Sequence, residues 1–192
     1  GSVVNTAKIG AGQSVAIVGL GGVGLNALLA SIASGAGKVV VVDVNEKKLM
    51  IASQLGAHYT FNSTLKNCTE QILDLTDGGV HYAFETAGVP PALDLAYQIT
   101  KRGGMTIVAG MPGPEAKITL SHLSLSAEER IIKGSYMGSC VPNRDIPRYI
   151  DLYKNESLPV DKLIGERFSF DGLNEALDRL DDGEALRQIL IF

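Results

Sequence analysis

The chain has 192 residues, of which 45% are hydrophobic and 20% charged, and a formal net charge of −4. Its acidic and basic residues are scattered rather than blocked, which leaves no electrostatic footprint for nucleic acid or an anionic membrane and favours small-molecule chemistry. Two cysteines, Cys68 and Cys140, stand outside any C-x-x-C pattern; they suggest neither a disulfide framework nor a self-contained zinc site and are expected as buried, reduced thiols.

The opening Gly1-Ser2 reads as a cloning scar or as natural sequence, and no signal peptide is visible, so a cytoplasmic protein is expected. Ser14–Val18 is a run of small and apolar residues that predicts a first strand, leading straight into Gly19-Leu20-Gly21-Gly22-Val23-Gly24. Residues 14–37 carry no charge and are long enough to pose the question of a membrane span. The glycines answer it: strand, turn and helix explain each one, whereas a spanning helix would have to run through all of them. Gly19 allows a tight turn, Gly21 lets the backbone approach a pyrophosphate, and Gly24 lets the following helix pack hard against the sheet. That helix, opening at Gly22 and Val23 and running to Ala33, aims free N–H groups and its positive dipole end at phosphate.

Lys38–Val42 predicts the second strand, ending at Asp43 about twenty residues past the last glycine. A carboxylate there accepts hydrogen bonds from both adenosine ribose hydroxyls and repels a 2′-phosphate, which selects NAD over NADP. No Gly-Lys-Ser or Gly-Lys-Thr follows the turn, so a P-loop is not present. Asn45 is placed to cap a helix through Leu55, completing one β-α-β unit. Tyr59–Asn62 follows as a third strand, and Asn67 with Glu70 resembles a capping pair for a helix stopping near Asp77–Gly79. Val80–Phe84 is a fourth strand, Pro90 and Pro91 lead a helix to Ile99, and Gly104–Val108 is a fifth strand. Regular alternation of strand and helix predicts an α/β fold of the Rossmann type, a doubly wound parallel sheet.

After the loop that begins at Ala109, a short helix near Ala127–Arg130 and a sixth strand, Ile131–Tyr136, should close the nucleotide domain. A Pro147-led helix to Asn155, the run Phe168–Phe170, an Asp171-capped helix to Leu180 and the apolar end Ile189–Phe192 are too thin for a second core. His58, His81 and His122 stand singly and read as exposed or structural; Glu85 reads as structural or as part of a cofactor loop. Tyr97 and Lys101 have the Y-x-x-x-K spacing with which short-chain dehydrogenases move a proton, although the glycine pattern of that family differs and Tyr97 precedes the fifth strand. A non-catalytic NAD-sensing module is a further alternative, sharing the first β-α-β unit and Asp43.

Taken with its flanks, the glycine run resembles that of the zinc-dependent, medium-chain alcohol dehydrogenases. The resemblance extends through Asn5–Lys8, Asp43–Lys48, Ala52 with Leu55–Ala57, Thr76–Gly79, Phe84 and Glu85 with Gly88, Lys133 and Gly134, and Arg187–Phe192. It covers this whole chain but only about half of a family member, leaving out the amino-terminal catalytic domain with its zinc ligands and substrate pocket. The resemblance implies residues 1–9 as a linker helix from that domain, 10–137 as the NAD-binding Rossmann domain, and 138–192 as a carboxy-terminal segment of the catalytic domain. It implies no catalytic residue or metal ligand in this chain. The implied activity is hydride transfer between a primary alcohol or its aldehyde and NAD, with zinc in the parent enzyme and a fragment that is itself inactive.

Carried over by position, the resemblance puts the pyrophosphate on Gly19, Gly21, Gly22 and Val23, with Arg187 reaching it from the tail and Gly24 counted with them among the cofactor-binding residues. Asp43 and Lys48 bracket the adenosine ribose, and Thr86 and Ala87, followed by Gly88, line the cleft. Backbone groups of Ala109, Ser135 and Met137 hold the nicotinamide carboxamide, with Gly110 and Met111 flanking the ring. Val89 departs from the arginine that relatives often carry near the adenine. The family also continues its sheet across a two-fold axis, so a homodimer through Ile131–Tyr136 is implied.

Overall fold

In the computed structural model, which describes residues 1–181 and 187–192, six strands form one parallel sheet. They are β1 (Ser14–Val18), β2 (Lys38–Asp43), β3 (Tyr59–Asn62), β4 (Val80–Glu85), β5 (Thr100–Val108) and β6 (Ile131–Gly134), in the order β3-β2-β1-β4-β5-β6. The chain winds outward from β1 in one direction and then, from β4, in the other. The reversal opens a crevice above the carboxyl ends of β1 and β4, where doubly wound sheets take their ligands.

Side chains of the central strands alternate between two apolar layers, as the two-residue period requires. Val15, Ile17, Val39, Val41 and Phe84 pack on one face with Leu25 and Leu28 of α1 (Gly22–Ala33); Ala16, Val18, Val40, Val42 and Ala83 pack on the other. Ile72 of α3 (Cys68–Leu75) and Ala96 of α4 (Pro90–Gln98) cover that second face. Both faces being covered, the central strands are continuous apolar runs. Val3 and Ala7, from the wide helical turn Ser2–Ala7, and Leu158 and Leu163 from the carboxy-terminal segment join the first layer.

The remaining elements are α2 (Glu46–Gln54), α5 (His122–Ala127), α6 (Pro142–Lys154), α7 (Leu173–Asp181) and a small parallel pair, β7 (Arg167–Ser169) with β8 (Ile189–Ile191). No helix of the described residues is long and apolar enough to cross a membrane.

Several local expectations need correction. Asn45 caps α2, its side chain accepting from the Lys47 amide at 2.9 Å, but Asn67 stands before α3 at φ 64° and makes no capping bond. A cap needs extended backbone to aim its oxygen at the first turn. α5 lies upstream of 127–130, because Ser121 accepts from the Ser124 amide at 3.2 Å and starts the helix there. α6 opens at Pro142, and Pro147 lies inside it. Asp171 belongs to a single tight turn, Phe170–Gly172, ahead of α7. Strand β5 begins earlier than expected, at Thr100, across a register shift against β4. β6 stops at Gly134, and Cys140 is half-exposed whereas Cys68 is buried.

Candidate dinucleotide site

The turn after β1 is shaped by its glycines. Gly19 adopts φ 98°, and its amide donates to the Val42 carbonyl at 2.8 Å, binding the turn to β2. A Cβ at Gly24 would lie 1.9 Å from the Gly19 carbonyl oxygen, so the first turn of α1 packs against the end of β1 as only glycine permits. Gly21 is different: a Cβ there would meet nothing within 4 Å. It faces open space above the crevice. Gly21 is also the residue preceding α1, and no side chain caps that helix. The first amides of a helix have no partner within it, so Gly22 and Val23 present donors to whatever lies above.

Arg187 reaches the same place from the far end of the chain, where a Cβ at Gly22 would lie 3.1 Å from its Nη2. A guanidinium at the positive end of a helix is unfavourable alone and becomes favourable with an anion between them.

Asp43 closes β2 with both carboxylate oxygens oriented. Its Oδ2 accepts from the Leu20 amide at 2.6 Å and its Oδ1 from the Asn45 amide at 2.9 Å. Each oxygen keeps a second lone pair for a further donor. The carboxylate borders a cleft of about 460 Å³ whose apolar walls include Val44, Leu65 and Val89. Lys48 stands half-buried on α2, and among the described residues no hydrogen bond ties it to Asp43.

Across the reversal point, Glu85 organises the exits of β4 and β5. It is 1% exposed; its Oε1 accepts from the amides of Ala87 at 2.8 Å and Gly88 at 2.6 Å. Its carbonyl accepts from Ala109 at 2.9 Å and Gly110 at 3.0 Å. Thr86 Oγ1 donates to the Gly19 carbonyl at 2.6 Å, which stitches this loop to the glycine turn. Gly88, at φ 75°, packs on the Met111 backbone, where a Cβ would approach its carbonyl oxygen to 2.8 Å. Met111 itself is largely exposed. Glu85 therefore has a structural role, holding the exits of β4 and β5 together.

Ser135 is buried just past β6, its amide donating to the Val108 carbonyl at 2.9 Å and its hydroxyl 2.7 Å from Thr6 Oγ1. Met137 follows on an exposed turn at φ 49°. The fold thus gathers Gly19–Gly24, Asp43, Thr86–Gly88, Ala109–Met111 and Ser135–Met137 at the carboxyl ends of β1, β2, β4, β5 and β6. Asn5, Thr6 and Asp145, which support the last of these loops, had no site signal in the sequence, since they meet only through the tertiary fold.

Other candidates fall elsewhere. Tyr97 ends α4 and Lys101 lies near the start of β5, at the amino edge of the sheet, so the Y-x-x-x-K pair faces away from the crevice. The Tyr97 hydroxyl sits 2.8 Å from Ser124 Oγ and its ring lies under Arg130. His58 Nδ1 accepts from the Val39 amide at 2.8 Å and His81 Nδ1 from the Ser14 amide at 3.1 Å, both structural roles. Among the described residues no group of three or more His, Cys, Asp or Glu is arranged to hold a metal.

The zinc-binding dehydrogenase profile matches residues 22–155. Geraniol dehydrogenase from Castellaniella defragrans is 36% identical over 193 residues, spanning 100% of this chain and 52% of the relative. S-(hydroxymethyl)glutathione dehydrogenase from Paracoccus denitrificans is 30% identical over 100% of this chain and 53% of its own length. The crystal structure of benzyl alcohol dehydrogenase from Acinetobacter calcoaceticus superposes with a TM-score of 0.94 at 32% identity, over 97% of this chain and 51% of that one. The chain thus spans about half the length of the relatives it matches. With a 3-2-1-4-5-6 sheet, a glycine-shaped helix mouth and a profile covering well over half its residues, the chain belongs to the zinc-binding dehydrogenase family and is its coenzyme-binding half.

Proposed function

We propose that this chain binds NAD(H) across its crevice and serves as the coenzyme half of an enzyme that interconverts a primary alcohol and its aldehyde. The observation that carries the reading is Asp43, a carboxylate pinned by two backbone amides beside a helix mouth that Gly21 leaves open. When bound, the nicotinamide ring supplies the carbon that accepts or donates hydride. The protein's part is to hold and orient. The amides of Gly22 and Val23 and the Arg187 guanidinium neutralise the pyrophosphate, Asp43 accepts from the ribose hydroxyls, and loops 109–111 and 135–137 fix the ring at the other end. A 2′-phosphate would meet the Asp43 charge, which supports NAD over NADP.

Geraniol, benzyl alcohol and S-(hydroxymethyl)glutathione, in the names of the relatives, share a hydroxymethyl group, which supports a primary alcohol as the substrate class. The isolated chain, which spans about half the length of its relatives, is proposed to bind coenzyme without turnover. A second copy is proposed to pair along β6, whose Ile131 is 46% exposed at an open sheet edge.

Titration with NADH and NADPH tests the reading. Tighter binding of NADH is expected; equal or tighter binding of NADPH removes the assignment of Asp43. Alcohol-dependent formation of NADH by the chain alone would overturn its proposed inactivity.

A further inference from the structure

The turn after β6 is conformationally expensive. Met137, Gly138 and Ser139 have φ of 49°, 66° and 48°, three successive residues in the left-handed region, two of them not glycine. L-residues adopt that region at a cost, and a run of them persists only where the surroundings over-determine it. Here the surroundings are two polar groups from distant parts of the chain. Thr6 Oγ1 lies 2.7 Å from Ser135 Oγ and 2.9 Å from Ser139 Oγ, gripping both ends of the turn. Asn5 Nδ2 donates to the Gly138 carbonyl at 3.3 Å and to Asp145 Oδ2 at 3.0 Å.

Asp145, on α6, is the anchor of this arrangement. It is 1% exposed, and its carboxylate accepts from Arg144 Nε at 2.6 Å, the Val141 amide at 2.8 Å and Asn5. A buried carboxylate with this many donors is fixed in place, and Asn5 is fixed with it.

We infer that Asn5, Thr6 and Asp145 are positioning residues that hold the 135–139 turn in the left-handed shape needed to bind the nicotinamide end of the coenzyme. Each acts through the turn. The inference rests on the NAD(H) reading above, and it adds that a polar clamp between the amino-terminal helical turn and α6 sets affinity for one half of the dinucleotide only.

The experiment measures the binding of NADH and of ADP-ribose, which lacks the nicotinamide, by calorimetric titration of the full chain and its variants. Wild type should bind NADH more tightly than ADP-ribose. Thr6→Val, which keeps the shape and removes the hydroxyl, should weaken NADH by about threefold to tenfold and leave ADP-ribose unchanged, as loss of one or two hydrogen bonds predicts. Thr6→Ser should restore NADH binding. Asp145→Asn should behave like Thr6→Val if it folds; if it does not, Thr6→Val decides, its ADP-ribose binding reporting an intact fold. Parallel loss of both ligands in Thr6→Val, or unchanged NADH binding, would overturn the clamp. So would wild type binding the two ligands equally. Wild type binding neither ligand would instead remove the NAD(H) reading, and this inference with it.

Discussion

Asp43 joins a structural task, shown by its hydrogen bonds, to the recognition task proposed for it. Its oxygens satisfy the amides of Leu20 and Asn45, which holds the glycine turn over β2, and the residue lines the cleft. Asp43→Gly removes the charge that opposes a 2′-phosphate. A charged hydrogen bond is worth about 1.5–3 kcal/mol, so the preference for NADH over NADPH should shrink by roughly tenfold to a hundredfold, read as the ratio of dissociation constants. Asp145 makes a different prediction. The Arg144 guanidinium, and after it the Val141 amide, hold its carboxyl well below the usual carboxylate range. The folded state therefore binds this proton less readily than the unfolded state does. The stabilisation is complete above the ordinary aspartate value of about 3.9 and is lost as pH falls below it. Thermal unfolding followed from pH 6 to pH 3 should fall more steeply in wild type than in Asp145→Asn. Arg144→Gln should flatten the wild-type curve in the same direction.

Strand β1 and helix α1 show how one short segment sets both stability and binding. Gly24→Ala drives a methyl into the Gly19 carbonyl, where only 1.9 Å is available, and should cost about 1–3 kcal/mol of stability as overpacking does. Gly21→Ala meets nothing in the free protein and should leave the melting temperature near wild type while abolishing coenzyme binding. Normal coenzyme binding by Gly21→Ala would mean the helix mouth is misassigned. The other end of β1 carries a pH-sensitive contact. His81 Nδ1 accepts from the Ser14 amide, which requires an unprotonated nitrogen, and burial followed by the nearby Lys101 lowers its pKa. The folded state again binds fewer protons than the unfolded one. Stability from this contact is full above about 6.5 and lost as pH falls through the lowered value. Hydrogen exchange at the Ser14 amide should accelerate below that range, and His81→Asn should remove the dependence.

For the molecule as a whole, the open edge at β6 and the crevice above the sheet are the two features that face outward with unfinished chemistry. A lysine at an exposed edge position opposes strand pairing between copies. Ile131→Lys should convert the proposed dimer to a monomer in sedimentation velocity while NADH binding persists; a wild-type monomer at micromolar concentration would exclude pairing along β6. The carboxy-terminal segment also finds its place only here. Leu158 and Leu163 enter the same apolar layer as Val15, Ile17 and Leu28, so residues too sparse to build a second core complete the first.

By itself the sequence determined the alternating elements, the parallel sheet, the glycine turn and the carboxylate after β2. These are readable because each depends on local spacing: apolar periodicity fixes strand and helix, and the helix mouth needs small residues at fixed offsets. Where a local rule had competitors, it misled. Asn67 has the right chemistry for a cap but the wrong backbone angle, and Pro147 resembles a helix start although the helix opens at Pro142. The tertiary structure alone decided which distant groups meet. Asn5, Thr6, Ser135 and Asp145 are separated by up to 140 residues and converge on one turn. Tyr97 and Lys101, ideally spaced, are carried to the far edge of the sheet. Spacing along a chain encodes what neighbours share, whereas long-range hydrogen bonds depend on how whole layers pack, and no short window of residues contains that information.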